Sequence, residues 1–168
     1  MTRDYEFRIV TRDLSQFSKA YLVPIADLHE GAYNADHEVS DGYINWIKEH
    51  DNAVTVLNGD LMNCAWKDST PELFEDLCTP DDAYNRLRAR LEPIKDKIIM
   101  MTRGGHEEAI FRKVGHDYMA QLAYDLGNIP YRPNGGMFAI QLSKNNHRNI
   151  FTGWMVHGWA VLGLSGRR

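Results

Sequence analysis

Apolar positions along the chain follow two spacings that alternate. Short runs rich in β-branched and aromatic residues read as strands at residues 5–10 ("YEFRIV"), 20–27 ("AYLVPIAD"), 53–60 ("AVTVLNGD") and 97–103 ("KIIMMTR"). The last two are apolar on both faces, as buried parallel strands are. Between the second and third of these runs, residues 36–50 ("DHEVSDGYINWIKEH") place Val39, Tyr43, Ile44 and Ile47 at helical spacing. Residues 80–97 ("PDDAYNRLRARLEPIKDK") open on Pro80 and two acids, a helix start. Residues 106–127 ("HEEAIFRKVGHDYMAQLAYDLG") read as mostly helix, stopped by Gly127. Residues 63–80 are irregular, with a short helix expected from Pro71. Residues 135–143 and 149–158 alternate as a β-pair, with "KNNHRN" (144–149) as the hairpin turn. The order β-β-α-β-α-β-α-β-β predicts an α/β layered sandwich with a mostly parallel central sheet.

Composition narrows the function classes. The chain has 168 residues, which suits one domain with a real core. A formal net charge of -4 gives no support to nucleic-acid binding by bulk charge, though it leaves a local basic groove open. Arg86, Arg88 and Arg90 read as a solvated helix face rather than a basic patch. Cys64 and Cys78 fit neither a zinc spacing nor a disulfide framework and read as reduced thiols, which points to a cytoplasmic protein. The opening "MTRDYEFRIV" has no signal-peptide core, and no apolar stretch approaches membrane-spanning length.

Four of the apolar runs end in similar chemistry. "YLVPIAD" leads into Asp27-Leu28-His29, "AVTVLNGD" ends on Gly59-Asp60, "KIIMMTRGGHE" ends on His106-Glu107, and "IFTGWMVHG" ends on His157-Gly158. The carboxyl ends of parallel strands share one edge of an open sheet, where ligands bind, so these side chains are expected to converge. Asp with His suits a borderline divalent ion such as Mn, Fe, Zn or Ni. Two such ions, about 4 Å apart, clamp a phosphate and lower the pKa of a bound water. Glycines beside the ligands allow sharp turns and close approach. Each motif alone is weak; the ordered set carries the signal.

That set, "DLH" at 27–29, "NGD" at 58–60, "RGGHE" at 103–107 and "VHG" at 156–158, resembles the calcineurin-like metallophosphoesterases, whose motifs run D-x-H, G-D-x-x-D/N, G-N-H-D/E, a lone His, then G-H-x-H. The resemblance extends from about Tyr21 to Gly158 and implies a layered metallophosphoesterase-like sandwich that hydrolyses a phosphomonoester or phosphodiester through a hydroxide activated by two metal ions, Mn foremost, with Fe, Zn or Ni as alternatives. It implies that Asp27 and His29 hold the first metal, Asp60 bridges both, and His157 holds the second. Asn63 stands near the site. His106 would touch phosphate and protonate the leaving oxygen or stabilise its charge, with Glu107 supporting it. Arg103 either faces phosphate or is a surface charge at a strand end; Tyr33 and Asn34 either line the cleft or are plain loop. The substrate implied is a phosphate ester of a nucleotide, a nucleic-acid end or a phosphoprotein, with no membrane partner.

Two departures from the pattern count against activity. Gly105 stands where the family has its Asn ligand, and no G-H-x-H follows His157. The reading is therefore an incomplete phosphoesterase domain over residues 1–159, C-terminally truncated, with residues 160–168 as an atypical tail. Inserting one G after the Trp159 codon permits a glycine-rich continuation, so a frameshift accounts for the tail. An uncovered sheet edge would then promote self-association. The competing readings are a catalytically impaired fragment or scaffold with a relic metal site, and a small α/β binding domain with chance motifs. His37, His50, His116 and His147 read as surface or satisfied histidines, and Trp46 and Trp66 as packing.

Overall fold

The computed structural model describes residues 9–65, 76–144 and 147–158. In chain order the elements are β1 (Val10–Leu14), β2 (Tyr21–Leu22), α1 (His37–Glu49), β3 (Ala53–Asn58), α2 (Pro80–Leu91), β4 (Ile98–Thr102), α3 (Gly105–Val114), α4 (Tyr118–Asp125), β5 (Gly136–Lys144) and β6 (His147–Met155). Among the described residues this is a mixed α/β fold with two three-stranded sheets and four α-helices. One sheet has the order β2-β3-β4 and is parallel throughout. The other has the order β1-β5-β6, with β1 parallel to β5 and β6 antiparallel to it.

Side-chain alternation on β3 builds both cores. Ala53 and Leu57 face a helix-side cluster with Ile44, Ile47, Leu87 and Leu122. Val54 and Val56 face the opposite way, onto Leu14, Phe138, Ile140 and Met155 of the second sheet. The order of layers is helices, sheet, sheet. On β4 the alternation breaks: Thr55 pairs with Ile98 but Leu57 pairs with Met101, so β4 carries one extra residue. That bulge turns both Ile99 and Met100 toward the second sheet while Ile98 and Met101 stay on the helix side.

Several elements differ from the expected ones. Among the described residues the first strand is Val10–Leu14, where the polar segment Thr11-Arg12-Asp13 pairs in register with β5; residues 5–8 of the strand expected at 5–10 lie outside the described residues. The 20–27 run is a regular strand only at Tyr21–Leu22. Beyond it, single bonds from Val23 N–H to Val54 O and from Ile25 N–H to Val56 O continue the pairing around Pro24, which has no N–H to donate and lies on a sheet edge. The helix expected from 106 to 127 is two. Gly115, left-handed at φ 77°, ends α3, and Asp117 caps α4 by accepting from the Ala120 N–H. The helix from Pro80 stops at Leu91 and tightens into a 3-10 helix over Glu92–Lys97. The final hairpin is tighter than expected, with Lys144 paired to His147. The short helix from Pro71, Trp66 and the tail 160–168 lie outside the described residues.

Arg90 also departs from the solvated-face reading. Its guanidinium meets Glu30 Oε2 at 2.5 Å and Asp41 Oδ1 at 2.8 Å. Glu30 is only 1% exposed, so this pair is buried on one side, and it ties α2 to α1 and to the segment that follows Asp27. His50 is satisfied, its Nδ1–H donating to Trp46 O while its ring stacks on Trp46. Among the described residues, no helix is long and apolar enough to cross a membrane.

Candidate metal centre

The ends of β3 and β4 and the turns after β2 and β6 bring five predicted residues together. His29, Asp60 and His106 offer ligand atoms that all lie within 4.8 Å of one another, and so do Asp27, Asp60 and His157. Asp60 belongs to both groups. The groups partition the side chains differently from the expected pairing, with Asp27 beside His157 and His106 beside His29. Asp27 still keeps one oxygen 4.0 Å from His29 Nε2.

Backbone geometry singles out the same positions. Among the described residues five non-glycine positions have positive φ, and three of them are Asp27 (54°), His29 (46°) and Asp60 (49°). Left-handed backbone costs a non-glycine residue energy, and such residues cluster at functional sites. Backbone bonds hold the first loop over the second: Asp27 N–H donates to Gly59 O, His29 N–H to Asp60 O, and Glu30 N–H to Leu61 O.

Two histidines are oriented through their Nδ1 atoms. His106 Nδ1–H donates to Asn63 O at 2.7 Å, and His157 Nδ1–H donates to Asn58 O at 2.5 Å. A carbonyl can only accept, so each neutral ring keeps its lone pair on Nε2, the arrangement that prepares an imidazole for a metal. His157 Nε2 lies 3.0 Å from Asp60 Oδ2, and both side chains are 13% exposed. The rings of His29 and His106 meet edge-on, 4.6 Å between centroids. Burial first, and the neighbouring His106 second, hold His29 below the ordinary histidine pKa, favouring the neutral ligand form.

Asp60 and Glu107 build the junction of the two central loops. Asp60 Oδ1 accepts from His106 N–H at the start of α3, doing from outside what the N-cap residue Gly104 has no side chain to do. The Glu107 carboxylate, 1% exposed, accepts from three backbone N–H groups: Asp60 at 3.0 Å, Met62 at 2.9 Å and Gly104 at 2.9 Å. Burial pushes this carboxyl above its usual range, against the pull of those N–H bonds.

The two glycines of "RGGHE" have different reasons to exist. A Cβ on Gly104 would stand 2.1 Å from Asp60 N and 2.2 Å from its Oδ1, so only glycine fits. A Cβ on Gly105 would meet nothing closer than Asp60 Oδ1 at 3.9 Å. Packing therefore does not require glycine at 105, and a side chain there would start beside the shared aspartate.

Arg103 points elsewhere. Its side chain is 8% exposed, paired with Glu108 and with Asp117 Oδ2 at 2.7 Å, and lies over the Phe111 ring. It joins α3 to the cap of α4 and is neither a surface charge nor directed at the two groups. Asn63 contributes its backbone carbonyl to His106 and its side-chain amide to Asp76. Asn34 lines a cavity at Asp27 and His29, whereas Tyr33 projects into solvent. Cys64 follows Asn63, but burial, then the charge of Glu107, raises its thiol far above the ordinary value, which suits a packed thiol and not a nucleophile.

Sequence reasoning missed Asn58, Glu30 and Arg90. Asn58 accepts from Thr102 Oγ1–H at 3.1 Å and donates its amide to Val156 O at 3.2 Å, while its carbonyl receives His157. It thereby stitches β3, β4 and the turn after β6 into one site. The only sequence signal was its place before Gly59-Asp60.

The donor set fits divalent ions: carboxylates and imidazoles, two of the rings oriented through Nδ1, with one aspartate common to both groups. No protein-family model matches the chain, and no curated protein matches it.

Proposed function

We propose that this chain is a metal-dependent phosphoesterase of the calcineurin-like kind, acting on a phosphomonoester or phosphodiester. The observation that carries the reading is Asp60, whose carboxylate is common to two compact groups of ligand atoms. Divalent ions held there, Mn foremost, with Fe, Zn or Ni as alternatives, would neutralise phosphate charge and activate a water for attack at phosphorus. Asp27, His29, Asp60 and His157 hold the ions. His106, with its Nδ1–H tied to Asn63 O, has Nε2 left to face the substrate, where in its protonated form it would donate to the phosphate or the leaving oxygen. Glu107 fixes the loop that carries both Asp60 and His106. The test is hydrolysis of a generic aryl phosphodiester with Mn, with Asp60→Asn as control. Turnover that vanishes in the variant supports the reading, and turnover that survives it does not.

A second reading has its own support. Among the described residues each group offers three protein ligands, and Gly105 contributes none. On this reading the site is a relic in an impaired fragment or scaffold. Calorimetry finding one weak metal site, together with no turnover, would favour it. The frameshift proposal for residues 160–168 is decided by the nucleotide sequence, which must reopen a G-H-x-H frame when one G is added. Self-association is proposed through β6, which pairs with β5 on one side and exposes Ile150 and Phe151 at 64% and 58%. Light scattering showing only monomer would contradict that. The free thiols favour a cytoplasmic setting.

A further inference from the structure

We infer that the candidate phosphoesterase site carries an adjoining subsite for an uncharged aromatic group, so that the preferred substrate is a small aryl-type phosphate ester and not a polyanion. The inference rests on the phosphoesterase reading above. A cavity of about 600 Å³ opens on Asp27 and His29 and runs along the first turns of α1, past Val39 and Tyr43. A second hollow of about 500 Å³, formed by Val23, Val39, Gly42, Tyr43 and Trp46, continues from it along the same helix face. Among the described residues, neither is lined by a lysine or an arginine. Beyond the metal end, a nucleic-acid strand or a polyphosphate would bring negative charge along this channel past the Asp36 carboxylate, with no lysine or arginine among the described lining residues to meet it.

Two polar residues of the wall, Asp36 and Ser40, are engaged in the first turn of α1. Asp36 Oδ1 accepts from Val39 N–H at 3.0 Å, and Ser40 Oγ–H donates to Asp36 O at 2.9 Å. Past Asp27, His29 and Asn34 at the metal end, the wall turns apolar and aromatic, with Val39 and Tyr43 well exposed. Such a wall gains most from a flat, uncharged group.

Gly42 supplies an independent observation. It lies inside the thirteen-residue helix α1, where glycine weakens a helix relative to alanine. Its φ is not positive, and a Cβ there would meet no atom within 4 Å. Nothing in the folded chain calls for glycine at this position. A ring laid across the helix beside Tyr43 would, because the missing side chain leaves the floor of the second hollow flat.

Calorimetry on the full chain with Mn tests the inference by comparing phenylphosphonate with methylphosphonate, which share a head group. The phenyl compound is expected to bind about ten-fold tighter. Gly42→Leu, which fills the hollow, should bring the two within about two-fold while melting no lower than the native protein. Tyr43→Ala should likewise shrink the ratio. A ratio unchanged in Gly42→Leu, or a native protein that does not distinguish the compounds, overturns the subsite. If neither phosphonate binds, the phosphoesterase reading has failed separately, and benzyl alcohol alone judges the groove. Amide resonance shifts confined to Val39, Gly42 and Tyr43 uphold an aromatic site, and their absence overturns it. Shifts of those amides that grow with protein concentration and need no ligand would mean that a second copy covers the groove, which also overturns it.

Discussion

Glu107 is the residue whose replacement tests the architecture of the site most directly. Its two oxygens serve three backbone donors on two loops, Asp60 and Met62 after β3 and Gly104 before α3. At 1% exposure, no water replaces a lost bond. Glu107→Ala leaves three N–H groups buried and unmet at about 1–3 kcal/mol each, so a loss of about 3–6 kcal/mol is expected once partial relaxation is allowed. Glu107→Gln keeps the shape but turns one oxygen into a donor facing a donor. If the amide oxygen takes the Asp60 and Gly104 bonds, the Met62 contact is lost, at about 1–3 kcal/mol. For a chain of this length, about 2–4 °C of melting temperature per kcal/mol makes that a fall of roughly 5 °C. Urea denaturation and thermal melts of the metal-free proteins give both numbers. A parallel titration with Mn should show affinity reduced by about ten-fold or more in the glutamine variant, because the Asp60 loop is no longer clasped. A Glu107→Ala protein that melts within about 1 °C of the native one would refute the claim that this carboxylate holds the loops together.

Other outcomes follow from the same geometry. Gly104→Ala should cost more than about 2 kcal/mol by driving a methyl into Asp60, whereas Gly105→Asn should be tolerated and raise metal affinity about ten-fold, measured by melts and calorimetry. Arg90→Ala leaves the buried Glu30 carboxylate with only the His37 ring, 3.6 Å away, and should lose about 3 kcal/mol in urea unfolding, while the exposed Arg86→Ala stays within about 0.5 kcal/mol. His29 has its pKa lowered in the folded state, so the native protein binds fewer protons than the unfolded chain near the ordinary value of 6.5. The stability this contributes is present above 6.5 and lost as pH falls through the lowered value. Melts of the metal-free protein across that window should fall with acidification, and His29→Gln should flatten the slope.

The periodic segments of the chain were legible because local and tertiary preferences agree. Helix α1 shows its apolar stripe, and Pro80 with two acids marks the start of α2. The extension of β1 through Leu14 was not legible because Thr11, Arg12 and Asp13 carry no apolar pattern, and their pairing with β5 arises from partners more than a hundred residues away. The long helix was read through Gly115 because one glycine is compatible with a helix interior, and only Asp117, capping Ala120, shows that a new helix begins. At the site, residue type and position at strand ends were enough to bring Asp27, His29, Asp60, His106 and His157 together. What orients them was hidden. The carbonyls of Asn58 and Asn63 act through the backbone, where side-chain identity leaves no trace. Arg90 looks like its neighbours Arg86 and Arg88 until the helix is placed against Glu30.

The left-handed backbones at Asp27, His29 and Asp60 have a consequence for how the molecule responds to its surroundings. Each strained residue costs about 1 kcal/mol or more, so the three together take up about 3 kcal/mol of a domain's typical 5–15 kcal/mol. An ion that binds only the folded chain returns stability in proportion to the logarithm of its concentration. The lifetime of the folded chain would then act as a gauge of free metal, with depletion read out as unfolding and turnover of the protein itself.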